Sequence, residues 1–138
     1  MPRNGERGFT LIEILVVLLI IVVLSAIALP LFVNQRMKAQ DADAKSTAAV
    51  AAGALEVYHQ DHDTFAGVDR PALERIEPAL ADARAFTVAG TDAGYTLSVE
   101  SASGSDGGGP FEIEHTLTST KRTCGGAGRG GCPETGNW

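Results

Sequence analysis

The sequence predicts an α+β chain, one long N-terminal α-helix packed on a small antiparallel β-sheet head. Three observations lead there. Residues 14–33 form an apolar run without a charge. A second, Ala-rich segment repeats apolar residues at helical spacing. Further on, short segments alternate apolar and polar residues, the period of a half-buried strand.

The first element is the apolar run. Ile14 to Val33 is 20 residues without a charge, and at ~1.5 Å per residue a helix of that length crosses the ~30 Å hydrocarbon core of a bilayer. Arg3 and Arg7 lie on its short N-terminal side. By the positive-inside rule they keep the N-terminus cytoplasmic and send the rest of the chain outward. Pro30 has no N–H to bond the Ala26 carbonyl, so the helix is expected to kink there. A secretory signal peptide is the rival reading, with Ala26-Ile27-Ala28 imitating a cleavage site. Against it stand the length of the run, the acid Glu13 just ahead of it, and a helical pattern that continues past Ala28.

The second element continues the same helix. Ala44, Ala48, Ala51, Leu55 and Tyr58 fall on one face. One helix is expected from about Phe9 to about His59. Gly53 weakens it by roughly 1 kcal/mol relative to Ala. Arg36, Lys38 and Lys45 interleave with Asp41 and Asp43 and read as a solvated face. His59, Asp61, His62 and Asp63 lack a known ligand spacing and read as a polar helix terminus, with no metal expected. Tyr58 and Phe65 are expected to pin the helix end to the head.

The head comes last. Pro71 suits a helix start and Pro78 interrupts, so residues 67–86 read as a linker with one or two helical turns. Three strands are expected. The first is short, Ala85 to Val88. The second carries Tyr95, Leu97 and Val99 on its apolar face, and the third Phe111, Ile113, His115 and Leu117. Ser101 to Pro110, rich in Gly and Ser, reads as a flexible hairpin connection. Its single acid, Asp106, supplies too few ligands for a calcium loop.

Bulk properties narrow the function. The 138 residues allow one modest domain, and the net charge of −6 suits nucleic acid poorly. Lys121, Arg122 and Arg129 make a small basic spot without an aromatic platform, so nucleic acid is not an expected partner. Cys124 and Cys132, an even and closely spaced pair, fit a single disulfide outside the cytoplasm and are too few for a closed zinc site. If paired, they close a very small Gly-rich loop. No nucleotide-binding or nucleophile-elbow motif occurs, and no catalytic residue, cofactor or metal is expected.

One stretch is more specific than any of these. Gly8-Phe9-Thr10-Leu11-Ile12-Glu13, after a short basic leader and before an apolar run, resembles the processing site of type IV pilins and related pseudopilins. The resemblance covers roughly Gly8 to Phe65 and matches the short-leader, type IVa class. It implies a pilin fold and no enzymatic activity. It also implies cleavage between Gly8 and Phe9 by a prepilin peptidase and N-methylation of Phe9. Glu13 then lies one helical turn from the new amine, and is implied to act with Phe9 in assembly by pairing with the Phe9 amine of a neighbouring copy. Without the resemblance, Glu13 is an interfacial acid that caps a helix N-terminus. Pilins often carry a disulfide-bounded loop near the C-terminus, which here implies Cys124–Cys132.

The expected organisation is a leader over residues 1–8, a membrane and filament-core half-helix over 9–33, an amphipathic half-helix over 34–63, and a head over 64–138. The expected function is a structural subunit that leaves the cytoplasmic membrane to polymerise into a type IV pilus filament at the cell surface. Its partners are copies of itself, the prepilin peptidase and methyltransferase, the pilus assembly machinery, and the membrane before assembly. Two alternatives stay open. One is a pseudopilin of a type II secretion system or a minor pilin. The other is a monomeric anchored or secreted binding protein.

Overall fold

The computed structural model describes residues 8–138. Arg3, Arg7 and the rest of the expected leader up to residue 7 lie outside the described residues. The described residues divide into two compact units, 8–33 and 34–138.

Helix α1 spans Leu11–His62 and continues through Pro30. Within residues 8–33 every position is exposed, and α1 is long and apolar enough to cross a membrane. From Asp41 onward the helix has a buried face made of Asp41, Ala44, Ala48, Ala51, Ala54, Leu55 and Tyr58. Most of these side chains are methyl groups, and they join the inner face of the sheet in one core cluster. The helix runs about a turn past the expected His59. His62 Nδ1 pairs with the Tyr58 carbonyl at 2.9 Å, and Asp63 takes the left-handed position after the helix, φ 57°.

Helix α2, Arg70–Ile76, starts where Pro71 predicts. Asp69 caps it, its carboxylate accepting from Ala72 N–H at 2.9 Å. A 3₁₀ turn, Pro78–Leu80, follows. Together they contribute Ala72, Leu73 and Leu80 to the core.

The head sheet is an antiparallel meander in the order β1-β2-β3-β4, with β1 Phe86–Thr91, β2 Gly94–Val99, β3 Phe111–Thr116 and β4 Thr120–Cys124. Its registers place Phe86 opposite Val99, Val99 opposite Phe111, and Leu97 opposite Ile113. These residues share the inner face and join the buried face of α1 in one core. The outer face carries Thr87, Thr96, Glu112 and Glu114, all exposed. Burying each of Leu97, Ile113 and Phe111 contributes ~1.5–3 kcal/mol.

Five expectations need correction, the first being Leu117, which lies beyond β3 and is 79% exposed rather than on the apolar face of the third strand. The sheet has four strands, not three, because β4 is a polar edge strand (Thr-Lys-Arg-Thr-Cys) without the alternation that marks a buried face. The first strand begins at Phe86 and reaches Thr91, since the β1–β2 ladder extends to a turn at Asp92 and Ala93. The segment from Ser101 to Pro110 is no free hairpin loop. It carries a 3₁₀ turn at Gly104–Asp106 and buries Gly107 and Gly108. The charged stretch after Asn34 is not uniformly solvated, because Asp41 is fully buried and Lys45 half-buried.

Candidate assembly and processing site

Gly8, Phe9 and Thr10 precede α1 and are exposed, Phe9 at 77%. Thr10 stands at the N-cap. Its Oγ1 accepts from Glu13 N–H at 3.3 Å, and its carbonyl accepts from Glu13 N–H at 3.1 Å and Ile14 N–H at 3.3 Å. Glu13 is therefore in the first helical turn, where the helix dipole favours a negative charge. Its side chain is exposed, and it forms no ion pair or side-chain hydrogen bond among the described residues. The helix N-cap is thus the Thr10 side chain, whereas the sequence alone left Glu13 as the capping candidate. Phe9 and Glu13 lie on one end of a segment whose large apolar side chains have no protein cover.

In the head, the element that sequence reading missed is a buried carboxylate. Asp41 Oδ1 accepts from the Ser101 and Ser103 hydroxyls at 2.5 and 2.6 Å. Its Oδ2 accepts from the Gly108 and Gly131 N–H groups at 2.8 and 2.7 Å. Burial pushes this carboxyl up, but the hydrogen bonds from Gly131, Ser101, Ser103 and Gly108 outweigh it and hold it below the usual carboxylate range. One side chain of α1 thereby ties down two loops. Glycine is required beside it. Gly130 has φ +51°, and a Cβ there would collide with the Asp41 carboxylate. Nothing in a run of alternating charges distinguishes Asp41 from Asp43. The only trace in the sequence is the density of Gly and Ser in the two loops it meets.

Cys124 and Cys132 are joined by a disulfide with Cα atoms 5.9 Å apart. The loop it closes presents Gly131, whose carbonyl accepts from Lys45 Nζ at 2.5 Å. Lys45 also stands over the Phe111 ring at 5.2 Å and the Trp138 ring at 5.7 Å. The basic spot is divided among separate tasks. Arg129 Nη1 donates to the Ser105 carbonyl at 2.6 Å, and Arg122 lies over Trp138 at 5.3 Å.

The three histidines pack on aromatic rings. His62 stacks on Tyr58, His59 on Phe65, and His115 on Tyr95. Tyr58 and Phe65 are both buried where α1 meets the head. Among the described residues no group of three or more His, Cys, Asp or Glu is arranged to hold a metal ion.

The chain matches the family profile described as the prokaryotic N-terminal methylation motif over residues 3–29. It is 28% identical over 103 residues to the fimbrial protein EcpC of Eikenella corrodens, covering 73% of this chain and 67% of that one. It is 36% identical over 64 residues to the type IV major pilin protein PilA of Myxococcus xanthus, covering 46% and 28%. To the type II secretion system core protein G of Pseudomonas aeruginosa it is 37% identical over 65 residues, covering 47% and 46%. The match thus spans about two thirds of the first relative's length and less than half of the other two. No solved structure matches. The methylation motif, the exposed apolar start of α1 and the helix-on-sheet head are together the features in which this chain is similar to type IV pilin-like proteins.

Proposed function

We propose that the chain is a structural subunit, not an enzyme, that polymerises through α1 into a type IV pilus filament. Residues 1–8 are the leader, and a prepilin peptidase cuts between Gly8 and Phe9, whose amine is then methylated. Residues 9–33 first anchor the subunit in the cytoplasmic membrane with the N-terminus inside. They then become filament core, covered by the same segments of other copies. Residues 34–63 and 64–138 form the part that meets the outside, with Cys124–Cys132 closed there.

The observation that carries this reading is the exposure of every residue from Gly8 to Val33, with a single acid, Glu13, in the first turn. Large apolar side chains in that number require lipid or other chains around them. A carboxylate among them is tolerated when paired and penalised when not. The Phe9 amine of a neighbouring copy supplies that pair and sets the register of assembly. A second reading, a pseudopilin of a secretion system, is favoured by the likeness to core protein G.

Mass spectrometry of the N-terminal peptide tests both, on filaments sheared from the cell surface and on membranes. Methylated Phe9 as the first residue of sheared protein is the expected result. The same terminus confined to membranes selects the pseudopilin reading. A chain starting at Met1 or at Leu29 rejects both and leaves an anchored or secreted monomer.

A further inference from the structure

The bond that would draw the Phe9 carbonyl into α1 is diverted. In a continuous α-helix Ile12 N–H would bond the Gly8 carbonyl, and Glu13 N–H the Phe9 carbonyl. Glu13 N–H instead meets Thr10, at its carbonyl (3.1 Å) and at Oγ1 (3.3 Å). The helix accordingly begins at Leu11, and Gly8, Phe9 and Thr10 stay outside it. Thr10 with Glu13 three residues on has the spacing of a capping box, with the threonine half formed.

We propose that Thr10 is a positioning residue for processing: its hydroxyl stops α1 at Leu11 and keeps the Gly8–Phe9 peptide non-helical for the peptidase. This rests on the cleavage site proposed above. Hydrolysis adds water across that peptide, leaving a carboxylate on Gly8 and an amine on Phe9. A Gly8 carbonyl bonded to Ile12 N–H inside a helix is screened from both nucleophile and enzyme backbone. Gly8 is itself acceptable as an N-cap. Only a stronger stop at Thr10 therefore prevents the helix from starting two residues earlier and enclosing the bond.

Full-length chain in membrane vesicles, incubated with limiting prepilin peptidase, gives the test, with leader loss followed by mass spectrometry. If the wild-type chain is not cut after Gly8, the processing site itself is wrong, independently of Thr10. With the wild type cut, Thr10→Ala removes the acceptor and introduces the best helix former. Its kcat/KM is expected to fall about fivefold. Thr10→Ser and Thr10→Asn, which both cap helices, are expected within about twofold of wild type. Phe9 backbone carbon shifts of the uncut chain in micelles are expected to move toward helical values in Thr10→Ala alone. Wild-type processing of Thr10→Ala overturns the proposal. So do Ser and Asn variants as slow as Ala, or a Phe9 that stays non-helical in Thr10→Ala.

Discussion

Between Leu11 and Val33 every residue of α1 is exposed, whereas between Asp41 and Tyr58 the same helix buries seven side chains. The first stretch is built from Leu, Ile and Val, the second from Ala with single larger residues. Large side chains all round a helix suit a partner that surrounds it, whether lipid or other helices. An apolar stripe on one face suits a partner on that side alone, here the chain's own head. The part with the most apolar surface therefore contributes least to the subunit's own core. Among the described residues, every buried apolar residue lies between Ala44 and Cys132.

The strongest way to break this comparison is to remove residues 1–33. The remaining chain is expected to keep its cooperative unfolding transition, because its core is untouched, while partition into vesicles is lost completely. Loss of the transition as well would show that the apolar stretch stabilises the head, contrary to the burial pattern.

Next in size is Asp41→Ala. It strands two hydroxyls and two N–H groups, one buried and one partly buried, that now share one carboxylate. A loss of ~3–5 kcal/mol is expected, read from urea unfolding. The folded carboxyl lies below its unfolded value of 3.8. Its contribution is thus fully present above that pH and is lost as pH falls through the lower folded value. Asp41→Asn should flatten the acid limb of stability against pH, and an unchanged limb would assign acid sensitivity to another group.

Breaking the disulfide with Cys124→Ser and Cys132→Ser is expected to cost ~2–3 kcal/mol, since a small closed loop constrains the unfolded chain modestly. It also releases Gly131, one of Asp41's donors. Its effect should therefore shrink in an Asp41→Ala background, and full additivity in the double-mutant cycle would deny the link. At the small end, Glu74→Ala removes the partly exposed Arg70–Glu74 pair at 2.6 Å. The expected change is ~0.3–0.5 kcal/mol, with no effect on membrane partition.

Legibility in the sequence differed between regions for physical reasons. The stripe Ala44, Ala48, Ala51, Leu55, Tyr58 was readable because helical periodicity maps directly onto one buried face. The strands β2 and β3 were readable by the same logic at period two. Edge strand β4 was not, since a strand with little to bury has no apolar pattern to show. Asp41 was hidden because a buried, hydrogen-bonded aspartate and a solvated one have the same letter. What separates them is the approach of residues 60 to 90 positions away in the chain.

By itself the sequence determined the apolar segment with its lone acid, the motif from Gly8 to Glu13, the amphipathic helix and the α+β class. These are properties of local composition and period, and they persist whatever the chain contacts. Tertiary structure alone decided that Asp41 gathers the Ser101–Gly108 segment and the disulfide loop. It alone decided that Lys45 lies over Phe111 and Trp138. Each depends on which groups far apart in the chain are brought together, and a donor's need for an acceptor is settled only when the chain is folded.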